Sequence, residues 1–155
     1  MDLLLWRHAH ALDATLGQAD IDRPLSVKGE KQAQKMSAWL RVQLPKDTFI
    51  LCSPALRTRQ TVSYLNLPYT ICEDISPQST ASSLLSAAGW THATEATVLV
   101  VGHQPCLSDA VTAIFEMHSS ESLSFRKGSL WWIRKRIRPI SHESFILTIQ
   151  DPELL

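Results

Sequence analysis

Four residues carry most of the chemistry available to this chain: Arg7, His8, Arg57 and His103. Each follows an apolar stretch. Asp2 to Trp6 reads as a short buried strand that opens into Arg7-His8. Thr48 to Cys52 reads as a second strand, ending at Ser53-Pro54 with Arg57 one turn on. Thr97 to Val101 is the clearest strand and ends at Gly102-His103. In an open α/β sheet, ligands bind beyond the carboxyl ends of the strands. Parallel strands would therefore gather two imidazoles and two guanidiniums on one side of the sheet. A guanidinium fork matches phosphate oxygens bidentately. Helix N-termini expected at Ser53 and Gln104 would add amide donors and a positive dipole end. Arg57, in the first turn of its helix, leans toward that N-terminus and over the same anion. A phosphoryl group suits this inventory.

Other chemistries do not fit. Six positions after Cys52, Cys72 and Cys106 stand Thr58, Gln78 and Thr112, so no cysteine is followed by the arginine a cysteine phosphatase needs. No G-x-S-x-G elbow, Walker A loop or G-x-G-x-x-G fingerprint occurs. His8 and His10 are two apart and no H-E-x-x-H is present, so no metal and no cofactor is expected. A histidine nucleophile remains. Taken singly, each residue has an ordinary explanation: a solvated loop arginine, a hydrogen-bonded core histidine, a surface helix residue. Their shared place at strand ends is what makes a site.

The intervening elements are those of an α/β chain. Ser26 caps a helix to about Leu44 with Ala33, Met36, Trp39, Leu40 and Leu44 as its apolar stripe. Ser53-Pro54 reads as N-cap and first residue of a helix to about Leu65. Tyr69 to Cys72 is a short third strand, and Thr80 to Ala88 a small helix that Gly89 ends. Gln104-Pro105 starts a helix whose apolar positions are Leu107, Ala110, Val111, Ile114 and Phe115. Ser129 to Arg136 and Ser144 to Ile149, separated by Pro139, read as an antiparallel hairpin. The expectation is an α/β fold: a single three-layer domain over residues 1–155, its central sheet mainly parallel, flanked by helices, with right-handed crossovers. The chain has 155 residues, 45% hydrophobic and 19% charged, which excludes a disordered polymer. Fifteen basic against fifteen acidic residues argue against a nucleic-acid binder. The apolar runs are too short for a membrane span, and no basic leader precedes one. Three widely spaced cysteines fit a reducing, cytoplasmic setting.

Four segments then carry a resemblance. Arg7-His8-Ala9, Arg23-Pro24-Leu25-Ser26-Val27-Lys28-Gly29, Ser53-Pro54-Ala55-Leu56-Arg57-Thr58-Arg59-Gln60-Thr61 and Val101-Gly102-His103-Gln104-Pro105 resemble, in order, signature segments of the histidine phosphatase superfamily, the phosphoglycerate mutase-like group. They span residues 1 to about 117, with Ala9 where glycine is more common. The short length and the R-P-L segment look most like its SixA-type phosphohistidine phosphatases. Little sequence is left between the strands for a lid. The resemblance implies His8 as nucleophile and Arg7, Arg57 and His103 as the phosphate pocket. It also points to a carboxylic acid after the third strand, where Asp74 is the nearest match and Glu73 its neighbour. A phosphohistidine substrate lessens the need for that acid, because its imidazole leaving group has a pKa of about 6.5 and can depart protonated.

The implied partner is a phosphorylated histidine-containing protein of a signal-transduction phosphorelay. A small phosphate ester is the alternative substrate, and a non-catalytic phosphate-binding module the third reading. No nucleic acid or membrane partner is expected. Trp6, Trp39, Trp90, Trp131 and Trp132 are assigned to packing. Arg126, Lys127, Arg134, Lys135, Arg136 and Arg138 form a basic cluster read as a solvated face of the hairpin.

Overall fold

The continuous apolar runs near residues 3–6 and 98–101 become central strands buried on both faces. The computed structural model describes residues 1–92, 95–117, 123–138 and 141–155. Its six strands are β1 (Asp2–Arg7), β2 (Phe49–Cys52), β3 (Thr70–Ile71), β4 (Thr97–Gly102), β5 (Leu130–Arg138) and β6 (Ser141–Gln150). They form one sheet in the order β3-β2-β4-β1-β5-β6. The first four are mutually parallel, and β5 runs antiparallel to both β1 and β6. The helices are α1 (Val27–Gln43), α2 (Leu56–Ser63), α3 (Ala81–Ala87) and α4 (Cys106–Ile114).

Side chains alternate across the sheet, which sorts the core into two layers. Leu3, Leu5, Val98, Val100 and Ile133 pack against Leu84 and Leu85 of α3 and Leu107, Ala110 and Val111 of α4. On the other face Leu4, Trp6, Ile50, Leu99 and Val101 pack against Met36 and Leu40 of α1 and Val62 of α2. This is the expected three-layer α/β domain. Trp6, Trp90 and Trp132 are buried, and Trp131 stacks on Phe125 with centroids 4.6 Å apart.

Local signals held at two helix starts. Ser26 accepts from the Gly29 N–H to cap α1, and Thr80 forms a reciprocal capping box with Ser83 at α3. Gly29 has a further reason to be glycine. A Cβ there would lie 2.0 Å from the His10 carbonyl oxygen, so only a bare Cα lets α1 seat against the loop after β1.

Two other starts are corrected. α2 begins at Leu56 behind Ala55, an N-cap residue whose side chain has no acceptor, while Ser53 lies two residues earlier and bonds a histidine. α4 begins at Cys106 rather than Gln104, whose side chain instead holds the backbone of Leu123 and Phe125. The third strand shrinks to Thr70–Ile71, and the hairpin strands extend to Arg138 and from Ser141. Pro139 lies outside the described residues. Among the described residues, no helix is long and apolar enough to cross a membrane.

Candidate active site

Strand register builds the centre of the site. Arg7 pairs with Gly102 across β1 and β4, and the His8 N–H donates to the Gly102 carbonyl at 3.1 Å. The Ser53 N–H donates to Val101 O at 3.1 Å, bringing the end of β2 alongside. The His8 and His103 rings therefore face each other, with centroids 5.2 Å apart and planes tilted by 52°. Both imidazoles are buried.

Each ring is held through one of its nitrogens. His8 Nδ1 lies 2.8 Å from the Ala9 carbonyl, which can only accept, so Nδ1 carries the hydrogen and Nε2 the lone pair. Burial, reinforced by Arg57, Arg7 and Lys127, pushes the His8 pKa down to about 3 against the Ala9 hydrogen bond. His103 Nε2 lies 2.7 Å from Ser53 Oγ. That hydroxyl also accepts from the Ala55 N–H at 3.5 Å; when it donates to Nε2, His103 carries its hydrogen on Nδ1. Burial, then His8 and Arg57, hold this ring neutral too, with a pKa of about 3.

Two arginines flank the pair. Arg7 Nη1 donates to the Phe125 carbonyl, and burial lowers the Arg7 pKa without approaching neutrality. Arg57, buried in the first turn of α2, donates through Nη1 to Asp20 O at 2.6 Å and through Nη2 to Asp20 Oδ2 at 2.9 Å. Motif neighbours fasten these parts together. Thr61 Oγ1 accepts from the Ala9 N–H at 3.1 Å, and Gln60 Oε1 accepts from the Leu25 N–H at 2.7 Å.

The pocket between these groups measures about 380 Å³. Arg7, His8, Arg57 and His103 all line it, together with Asp20, Arg23, Lys127, Pro77 and Gln104. Three of the lining residues carry a buried nitrogen with no hydrogen-bond partner: Arg7 Nε, Arg57 Nε and His103 Nδ1. One other buried side-chain atom among the described residues shares that condition, Ser37 Oγ in α1. Unpartnered nitrogens so concentrated, beside two guanidiniums, could receive an anion.

Asp74 is not brought there. It is exposed in the 3-10 turn Glu73–Ile75, where its backbone carbonyl accepts from Ser83 Oγ, and neither it nor Glu73 lines the pocket. Asp20 and Arg23, which the sequence did not single out as site residues, are there instead. Arg23 Nη1 holds Asp20 Oδ1 at 2.9 Å, and with Arg57 keeps that carboxyl below its usual range. Arg23 stands in the R-P-L segment, so a signal for it existed. A larger groove, about 780 Å³, lies at the opposite ends of β1 and β4, beside Met1, Asp2, Thr97 and Arg134. Its basic residues are committed: Arg134 to Asp2 at 2.7 Å, Lys135 to the Trp90 carbonyl and ring.

A domain with this sheet order and a histidine-arginine anion pocket at the strand ends defines a phosphoryl-transfer class. The model of the histidine phosphatase superfamily (branch 1) matches residues 3–76. The chain is 32% identical over 127 residues to phosphohistidine phosphatase SixA of Escherichia coli, covering 74% of each. It is 30% identical over 158 residues to an uncharacterized protein of Picosynechococcus sp., covering 96% of each. The solved structure of the protein histidine phosphatase SixA complexed with tungstate superposes with a TM-score of 0.74 at 23% identity, covering 99% of both chains. This chain belongs to the histidine phosphatase superfamily. Family and fold together support a phosphatase.

Proposed function

We propose that the chain hydrolyses phosphohistidine on proteins through a phosphoryl intermediate on His8. The observation that carries this is the set of three unpartnered buried nitrogens around two neutral imidazoles. His8 Nε2 attacks phosphorus and the P–N bond to the substrate ring breaks; that ring, already protonated on its other nitrogen, leaves as neutral imidazole. Arg7, Arg57 and the Nδ1–H of His103 hold the equatorial oxygens and take up the developing charge. Water then attacks phosphorus, the P–N bond to His8 breaks, and orthophosphate leaves with neutral His8 restored. Burial keeps the nucleophile uncharged, and the Ala9 carbonyl fixes its tautomer.

The leaving group decides between phosphohistidine and a phosphate ester. Among the described residues the pocket is lined by one carboxylate, Asp20, which two arginines keep ionised. An alkoxide leaving group needs a proton donor. An imidazole, with a pKa of about 6.5, does not. The SixA relative is named for phosphohistidine, which supports the same substrate class.

The test is a panel of a phosphohistidine protein, phosphoramidate and phosphate esters, with His8→Ala as control. Turnover of the first two, a phosphoenzyme labile in acid and stable in base, and loss of both with His8→Ala are expected. Turnover confined to esters, or a His8→Ala variant with normal rates, overturns the proposal.

A further inference from the structure

Lys127 sits on the pocket wall with no part in the scheme above. It lies in a tight turn pinned to the strand that carries His8. The Gly128 N–H donates to His8 O at 3.1 Å, Trp6 Nε1 donates to Gly128 O at 3.0 Å, and the Arg7 N–H donates to Ser129 O at 3.0 Å. The turn admits only glycine after Lys127. Gly128 has φ +79°, and a Cβ there would lie 3.1 Å from Pro152 Cγ and 3.3 Å from Gln32 Cβ. The lysine backbone is thus fixed against the nucleophile's own peptide, while its side chain is half-buried at the pocket wall.

The other pocket cations have partners. Arg7 holds the Phe125 carbonyl, Arg57 and Arg23 share Asp20, and the adjacent Arg126 pairs with Asp151 at 3.0 Å. Among the described residues, Lys127 makes neither a hydrogen bond nor an ion pair through its ammonium. Its charge opposes protonation of both His8 and His10. With the imidazoles neutral, Arg7, Arg23, Arg57 and Lys127 against Asp20 leave three net positive charges. A phosphoryl dianion answers two of them. The orphaned nitrogens of Arg7, Arg57 and His103 already supply donors for its oxygens.

We propose that Lys127 is a specificity-determining residue that pairs with a second anionic group beside the phosphoryl group, an Asp or Glu side chain flanking the phosphohistidine of the substrate protein. This rests on the phosphohistidine reading and narrows its substrate class to acidic segments. An ammonium that makes no ion pair among the described residues, beside a cationic pocket, strengthens attraction for a doubly anionic partner.

The experiment compares kcat/KM for three substrates: phosphoramidate, a phosphohistidine peptide with a flanking Asp, and the same peptide with Asn there. Wild-type protein should favour the Asp peptide over the Asn peptide about five-fold, the range of a partly screened ion pair. Lys127→Ala should erase that preference through KM, and Lys127→Glu should invert it, whereas Lys127→Arg should retain it. The Lys127→Ala loss on the Asp peptide should exceed its loss on phosphoramidate by the same factor. Equal losses on all three substrates would place Lys127 on the phosphoryl group and overturn the proposal, as would a wild type indifferent to the flanking residue. A wild type that turns over none of the three fails on the phosphohistidine reading itself, whereas one that turns over all three without preference fails on Lys127 alone.

Discussion

The imidazole of His8 stands 5.2 Å from that of His103 because Arg7 and Gly102, the residues before them, are paired across β1 and β4. A one-residue slip in that register would turn one ring to the opposite face of the sheet. The same pairing buries both rings and surrounds them with cations, so both are hard to protonate. The proposed nucleophile and the proposed phosphate donor are kept neutral by one arrangement.

That arrangement sets how stability depends on pH. In the unfolded chain each histidine titrates near 6.5, and in the folded chain near 3. Between those values the unfolded state binds more protons, so stability is fully present above about 6.5 and falls as the pH drops toward 3. The slope is at most about 1.4 kcal/mol per pH unit for each imidazole. Urea unfolding at pH 7, 6 and 5 should show the decline, and His103→Gln should flatten it. A pH-independent midpoint in wild type would contradict the burial of these rings.

Ser53→Ala should leave the fold standing and misdirect catalysis. The Ser53 hydroxyl is fully buried and hydrogen-bonded to His103 Nε2 at 2.7 Å; donating there, it keeps the ring's hydrogen on Nδ1. Without it the ring is free to protonate on Nε2, leaving Nδ1 without a hydrogen to offer phosphate. The expected loss in kcat is roughly ten-fold to a hundred-fold, about 1.4 to 2.7 kcal/mol, with a smaller change in KM. Ser53→Thr, which keeps the hydroxyl, should recover part of the rate. Wild-type kcat in Ser53→Ala would mean the tautomer does not matter.

The four strand-end residues were legible because their signals are local. Leu3 to Trp6 and Val98 to Val101 have no polar interruption, so both the strands and the polar residues that follow them stand out. What was not legible depends on long-range partners. Ser53 reads as a helix cap until a histidine fifty positions away claims its hydroxyl. Asp20 lies in a loop without periodicity, and Arg57, far along the chain, ties it to the pocket. Lys127 reaches the site only because the chain pairs β5 with β1. Asp74 shows the converse: nearness in sequence to a strand end did not bring it to the pocket, and Pro77 lines that wall instead.

Asp20 competes with the anion for Arg57. Its side chain is 59% exposed, yet its carboxylate spans Arg23 and Arg57 at 2.9 Å each. A phosphoryl group entering the pocket meets this negative charge and a guanidinium already engaged. Asp20→Asn removes the charge and keeps the shape, so orthophosphate and vanadate should inhibit more strongly, by about three-fold to ten-fold, the scale of a partly exposed charge pair. Inhibition constants at low and high salt provide the measurement, with the gain shrinking at high salt. Weaker inhibition would show that Asp20 orients Arg57 rather than competing for it.

The last prediction sets activity against stability at Arg57. Its guanidinium is buried, and its Nε has no partner in the ligand-free fold. Such a group is desolvated without full compensation, a cost borne for the sake of the ligand. Replacing it by Met, of similar length and no charge, removes that cost and leaves Asp20, largely exposed, to be solvated. Arg57→Met should therefore melt at or above the wild-type temperature in the absence of ligand. Its kcat/KM should fall by an amount equivalent to about 2 to 4 kcal/mol, as when an oxyanion donor is lost. Vanadate should raise the melting temperature of wild type by mass action and have much less effect on the variant. Parallel melting curves and steady-state kinetics read both sides. A variant that melts well below wild type, or gains as much from vanadate, would make Arg57 a structural residue and remove it from the phosphate pocket.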